Sequence, residues 1–160
     1  MSKLGRQHIG EASTVSTGSL VGSYERPLDP KKRLTIPSIW RTALGADYVY
    51  VMKEDDKPCL RLIPKDVFDS RLESIKEMPL SDDELNTVLE KIGEDSEMLE
   101  FDVQGRIRIS DRLLAYAGLT GPVVLKGAVR MARLWAPENV PQRSQAETDA
   151  VREAVRRLRF

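Results

Sequence analysis

Sliding the 160-residue chain against itself by 73 positions superposes Asp29 on Asp102, Arg33 on Arg106, Ile36 on Ile109, Gly45 on Gly118, Val51 on Val124 and Lys53 on Lys126. Pro64 then falls on Pro137. These are six identities within the 25 positions from Asp29 to Lys53, where composition alone gives about one or two. Similar pairs such as Leu34/Ile107 and Met52/Leu125 support them. Duplication is the better explanation. A repeat constrains the fold more than any other feature, because a short unit that cannot bury its apolar face alone buries it against its copy.

Each copy predicts the same elements. A strand (20–25, or 98–101) enters a tight turn (28–32, or 102–105), and a second strand follows with period-two alternation, Arg33-Leu34-Thr35-Ile36 or Arg106-Ile107-Arg108-Ile109. A helix of two turns comes next, over 39–44 with Ser38 as its expected cap and over 111–117 with Ser110. Gly45 and Gly118 stop these helices where a left-handed residue is cheapest. Two short strands complete each copy, 48–53 with 59–63 and 123–126 with 130–135. The expectation is a β-rich α+β fold of two tandem β-β-α-β-β repeats in one compact domain. Its organisation is a flexible tail at 1–18, a repeat at 19–64, an acidic helical linker at 65–96, a second repeat at 97–140 and a C-terminal amphipathic helix within 141–160. The linker predicts helices over 65–77 and 82–92, the second opened by a capping box of Ser81 and Glu84.

Composition narrows the chemistry. Cys59 and His8, alone of their kinds, are too few for a disulfide, a zinc site or a Cys/His nucleophile pair. No metal or cofactor is expected. No apolar run approaches the roughly 18 residues that span a bilayer, and the first ten residues have no apolar stretch typical of a secretory signal, so a cytoplasmic protein is expected. Carboxylate pairs such as Asp55/Asp56 and Asp82/Asp83 adjoin loops or helix starts, where solvated acids are ordinary, and an enzyme is not expected. Trp40, Trp135, Tyr50 and Tyr116 sit beside aliphatic residues in helix and strand period and are expected to pack in the core or between subunits.

The formal net charge is zero, with 25 basic and 25 acidic side chains, but they are unevenly spread. Residues 1–45 carry seven basic and three acidic groups, 46–101 seven and sixteen, and 102–160 eleven and six. Two basic segments flank an acidic middle, so folding can still present a basic face. The one polar pattern common to both copies is Asp-x-x-x-Arg on a β-turn, Asp29 to Arg33 and Asp102 to Arg106. Asp29, Asp102 and Gly105 suit turn building, because Asp accepts nearby backbone N–H groups and Gly takes the last position. On that basis alone Arg33 and Arg106 merely pair with the aspartates. The function-bearing alternative adds Lys31, Lys32 and Arg108 to the two arginines, giving each hairpin a cationic tip for phosphate or guanine in a major groove wide enough for a two-stranded ribbon.

The segments LDPKKRLTIPSIWRTALG and CLRLIP, with EFDVQGRIRISDRLLAYAGL, VVLKG and RLW, resemble the MraZ family, the duplicated AbrB-like (swapped-hairpin) transcriptional regulators of the bacterial division and cell-wall gene cluster. The resemblance runs from about residue 20 to 140. It implies two swapped-hairpin repeats, a ring-shaped homo-oligomer, double-stranded DNA as partner through the two turns, and repression of the protein's own operon. It also implies a place in the cytoplasm and on the nucleoid, with no membrane or small-molecule substrate. Three departures stand out: Lys32 in place of Gly, Met131-Ala132-Arg133 in place of an aromatic followed by Glu, and an acidic linker holding only Lys91 over 88–100. A positive φ at Lys32 would strain that turn by roughly 1 kcal/mol. The second function class is an AbrB-like protein-interaction or antitoxin-type module without operator binding, docking a partner through residues 146–160.

Overall fold

The computed structural model describes residues 18–45 and 47–160; the expected tail, Gly18 apart, lies outside the described residues. The elements in chain order are β1 (Ser23–Arg26), β2 (Arg33–Thr35), α1 (Ser38–Leu44), β3 (Tyr48–Lys53), β4 (Cys59–Ile63), α2 (Lys65–Ile75), α3 (Asp82–Asp95), β5 (Ser96–Glu100), β6 (Arg106–Arg108), α4 (Asp111–Ala117), β7 (Val123–Gly127), β8 (Ala132–Trp135), a 3-10 turn (Pro137–Asn139) and α5 (Gln145–Arg157). This is a mixed α+β fold with two sheets and several helices.

The larger sheet is antiparallel, in the order β1-β7-β8-β4-β3-β5. The first strand of each half pairs with the other half: β1 lies on β7, and β5 lies on β3. Exchanging the halves reverses the strand order and leaves it otherwise unchanged. The smaller sheet is β2 against β6, with Leu34 opposite Ile107. Ile36 N donates to Gly105 O (3.1 Å) and Ile109 N to Lys32 O (3.0 Å), extending the ladder symmetrically at both ends.

Side-chain alternation decides what each sheet buries. Leu34 and Ile107 are wholly buried, as are Ile36, Trp40 and Leu113 around them; full burial contributes about 1.5–3 kcal/mol for each large aliphatic side chain. They meet Val49, Val51, Leu60, Leu62, Leu125 and Leu134 from the inner face of the larger sheet. The core therefore sits between the six strands on one side and β2, β6, α1 and α4 on the other. The opposite face of the sheet carries Tyr50, stacked at 3.8 Å on Phe68 of α2. It also carries Cys59, whose burial pushes its thiol up to about 11.

The structure corrects the single 73-residue offset. It holds from the turns to the ends of α1 and α4, where Gly45 (φ 62°) and Gly118 (φ 65°) take the left-handed conformation. Register and burial then match Val49 to Val123 and Val51 to Leu125, an offset of 74, and Arg61 to Arg133 and Leu62 to Leu134, an offset of 72. The loop after Gly118 is one residue longer than the loop after Gly45, and the β7–β8 connection is two residues shorter than the β3–β4 one. Val51/Val124, Lys53/Lys126 and Pro64/Pro137 are thus sequence identities that do not occupy corresponding places. Ser38 is also not a cap: Pro37 precedes α1 without a side-chain cap bond, and Ser38 is the first helical residue. Ser110 does cap α4, accepting from Leu113 N, and Ser81 with Glu84 forms the expected capping box on α3.

Candidate nucleic-acid interface

Both Asp-x-x-x-Arg turns close in the same way. Asp29 Oδ1 accepts from Lys31 N (2.9 Å) and Arg33 N (2.7 Å), while Arg33 Nε donates to Asp29 Oδ2 at 2.7 Å. Asp102 Oδ1 accepts from Gln104 N and Arg106 N, both at 2.9 Å, while Arg106 Nε donates to Asp102 Oδ2 at 2.7 Å. Backbone bonds Lys32 N to Asp29 O (2.8 Å) and Gly105 N to Asp102 O (2.9 Å) complete the turns. The backbone N–H of Arg33 is the main reason that Asp29 is held below the ordinary carboxylate range, and the N–H of Arg106 does the same for Asp102. Each guanidinium is thereby fixed along its Nε edge, leaving its terminal amino groups to other partners.

The two turns lie at opposite ends of the β2–β6 ladder, which is only three residues long, or about 10 Å. Arg106 Nη1 comes within 3.9 Å of Asp29 Oδ2, so the turns form one continuous patch. Cross-strand pairing then distributes the candidate residues unequally. Arg108 lies opposite Arg33, joining Lys31 and Lys32 around a shallow groove of about 540 Å³ at the first turn. Thr35 lies opposite Arg106 at the second turn. Lys31 and Arg108 are exposed, whereas Lys32 Nζ is bonded to the Asp111 carboxylate at the start of α4. That lysine also holds Asp111 below its usual range.

The sequence reading missed two features of the patch. Arg41, on α1, lies over the second turn: a Cβ built on Gly105 would stand 2.3 Å from its Cζ. No fixed spacing from the turn motif identifies Arg41, because contact arises only when β2 and β6 pair. Val103 and Gln104 crown the same turn, and Val103 is completely exposed. A fully solvated valine at a turn apex was legible in the sequence as an apolar residue among polar neighbours. The expected packing roles of the aromatics fit their places: Trp40 and Trp135 are buried, and the Tyr116 hydroxyl donates to Glu54 O.

Among the described residues no cluster of His, Cys, Asp or Glu could hold a metal ion, and no helix is long and apolar enough to cross a membrane. No protein-family model matches the chain. Individual relatives do. The transcriptional regulator MraZ of Thermomicrobium roseum is 31% identical over 119 residues, covering 74% of this chain and 82% of that one. MraZ of Leuconostoc mesenteroides is 32% identical with the same coverage, and MraZ of Caulobacter vibrioides is 28% identical over 141 residues, 87% of this chain and 90% of that one. With this identity across most of both chains, the protein belongs to the MraZ family of transcriptional regulators.

Proposed function

We propose that the chain is a sequence-specific DNA-binding repressor of its own division and cell-wall gene cluster, acting on the nucleoid as a ring-shaped homo-oligomer. Its two halves are swapped-hairpin repeats that arose by duplication, each presenting one Asp-x-x-x-Arg turn to double-stranded DNA. The observation that carries this reading is the β2–β6 ladder itself: a two-stranded ribbon, cationic at both ends, of a size that enters the major groove. Lys31, Lys32 and Arg108 supply charge for phosphate at the first turn. Arg33 and Arg106, fixed by Asp29 and Asp102, offer their terminal amino groups to phosphate or guanine with little further loss of side-chain freedom. The exchange of β1 and β5 between halves supports the swapped-hairpin reading.

The test is selection of bound fragments from the source genome by the full chain, followed by affinity measurements on the preferred fragment. Arg106→Ala is expected to weaken binding by roughly ten-fold or more, which corresponds to about 1–3 kcal/mol per lost contact, with oligomer mass unchanged. Wild-type affinity in an Arg33→Ala/Arg106→Ala double variant would remove the turns from the interface.

A further inference from the structure

On the face of the larger sheet turned away from the core, three cations stand in one line. The register sets Lys126 of β7 directly opposite Arg133 of β8, and Arg133 directly opposite Arg61 of β4. Ser23 and Met52 continue the line on either side, so no acid enters it from the neighbouring strands. Like charges placed directly opposite destabilise a sheet.

A single carboxylate offsets them. Glu54, nearly buried, accepts from Arg133 Nε at 2.8 Å and lies 3.7 Å from Arg61 Nε. Burial by itself raises this carboxyl, but the Arg133 bond and the charges of Arg61 and Arg133 outweigh it and hold Glu54 below its ordinary value. Arg61 Nε remains buried without a hydrogen-bond partner, and its Nη2 rests 3.3 Å from the Met52 sulfur. Lys126 forms no ion pair among the described residues.

The line runs into a cleft of about 480 Å³ between the β7–β8 connection and the segment that leads into α5. Lys57 and Arg143 add two more cations to its wall, and the largely buried Trp135 forms its floor. Asp56 pairs with Lys57 at 3.2 Å from the solvent side. The one acidic lining residue, Glu147, is turned towards the start of α5, where it accepts from Ser144 N at 3.3 Å. Concave surfaces lined by one sign of charge concentrate counter-ions.

We propose that this cleft is a binding site for a small, multiply charged phosphate anion, either a free polyphosphate or the phosphate chain of a nucleotide. Lys126, Arg143 and the free amino groups of Arg133 grip the anion, which supplies the counter-charge that the row lacks. A duplex held at the turns is on the other side of the molecule, because Leu125, Leu134 and Leu60 of the same strands point into the core beneath β2 and β6. The proposal therefore stands whether or not the turns bind DNA.

The probe is pyrophosphate, titrated calorimetrically into the full chain at fixed ionic strength, with ATP and inorganic phosphate alongside. Saturable pyrophosphate binding is expected, together with a rise in Tm. Lys126→Met and Arg143→Gln change exposed side chains, so the fold is retained, and each is expected to weaken binding roughly ten-fold. Tighter binding of ATP than of pyrophosphate assigns the site to a nucleotide, and the reverse assigns it to free polyphosphate. No saturable binding to the wild type would overturn the proposal, as would an unchanged affinity in the double variant. Loss of DNA affinity in these variants without pyrophosphate binding to the wild type would give the row to nucleic acid instead.

Discussion

Position 32 shows how one residue separates the two turns. Lys32 has φ 64° and Gly105 has φ 77°, so both turns require the left-handed region, which a lysine enters at a cost of about 1 kcal/mol. In the second turn a side chain would in addition displace the Arg41 guanidinium, which stands where a Cβ would be. At the corresponding place over the first turn lies Leu114, beside Lys32 and Asp111. A side chain therefore fits, and Asp111 holds its charge. Lys32→Gly is expected to raise stability by up to about 1 kcal/mol through relief of that backbone strain while lowering affinity for the selected fragment and flattening its salt dependence. Thermal melting and binding at several salt concentrations read the two effects separately. A variant that loses stability and keeps its affinity would show that Lys32 serves the fold through Asp111 alone.

At the scale of elements, the turns, the α1 and α4 helices and their glycine stops were legible because each rests on local chemistry: an Asx turn, a Ser110 cap, a left-handed glycine. The pairing of the halves was not. Nothing local says that β1 joins β7 instead of a strand of its own half, since that choice depends on where the core closes. The slips to offsets of 74 and 72 arise in loops, where insertions cost little and sequence identity carries no information about which face a residue occupies. The basic row escaped for the same reason: Arg61, Arg133 and Lys126 are far apart in sequence and meet only through register. The short β7–β8 connection has its own consequence. Val129, exposed and β-branched, is forced to φ 70° while its N–H and C=O both bond Leu20, at 2.9 and 2.8 Å. Val129→Gly keeps both bonds and removes the strain, so a gain of about 1 kcal/mol is expected in urea unfolding; a loss would mean that the valine side chain packs on the chain before β1.

At the scale of the whole molecule, several surfaces are unfinished. Neither α3 nor α5 has a buried residue, although both carry an apolar stripe; Leu89, Val151, Val155 and Leu158 are exposed. Among the described residues, the edges of the larger sheet, β1 and β5, have no partner on their outer sides, and Met98 on β5 is 53% exposed. Unpaired edges and apolar stripes of this kind are covered when copies of a chain associate, and a closed ring leaves none over. On the proposed reading, such association would also answer an energetic difficulty. One subunit offers a few cations at its turns and no net charge, so DNA binding through the turns alone would be weak, and useful affinity would require several subunits on spaced sites, each raising the effective concentration of the next. The full chain at micromolar concentration is therefore expected to scatter light as a multimer. Its affinity for the selected fragment should fall steeply between low and moderate salt, with a slope larger than the contacts of a single subunit provide. A monomeric mass combined with a shallow salt slope would exclude this cooperative mode of binding.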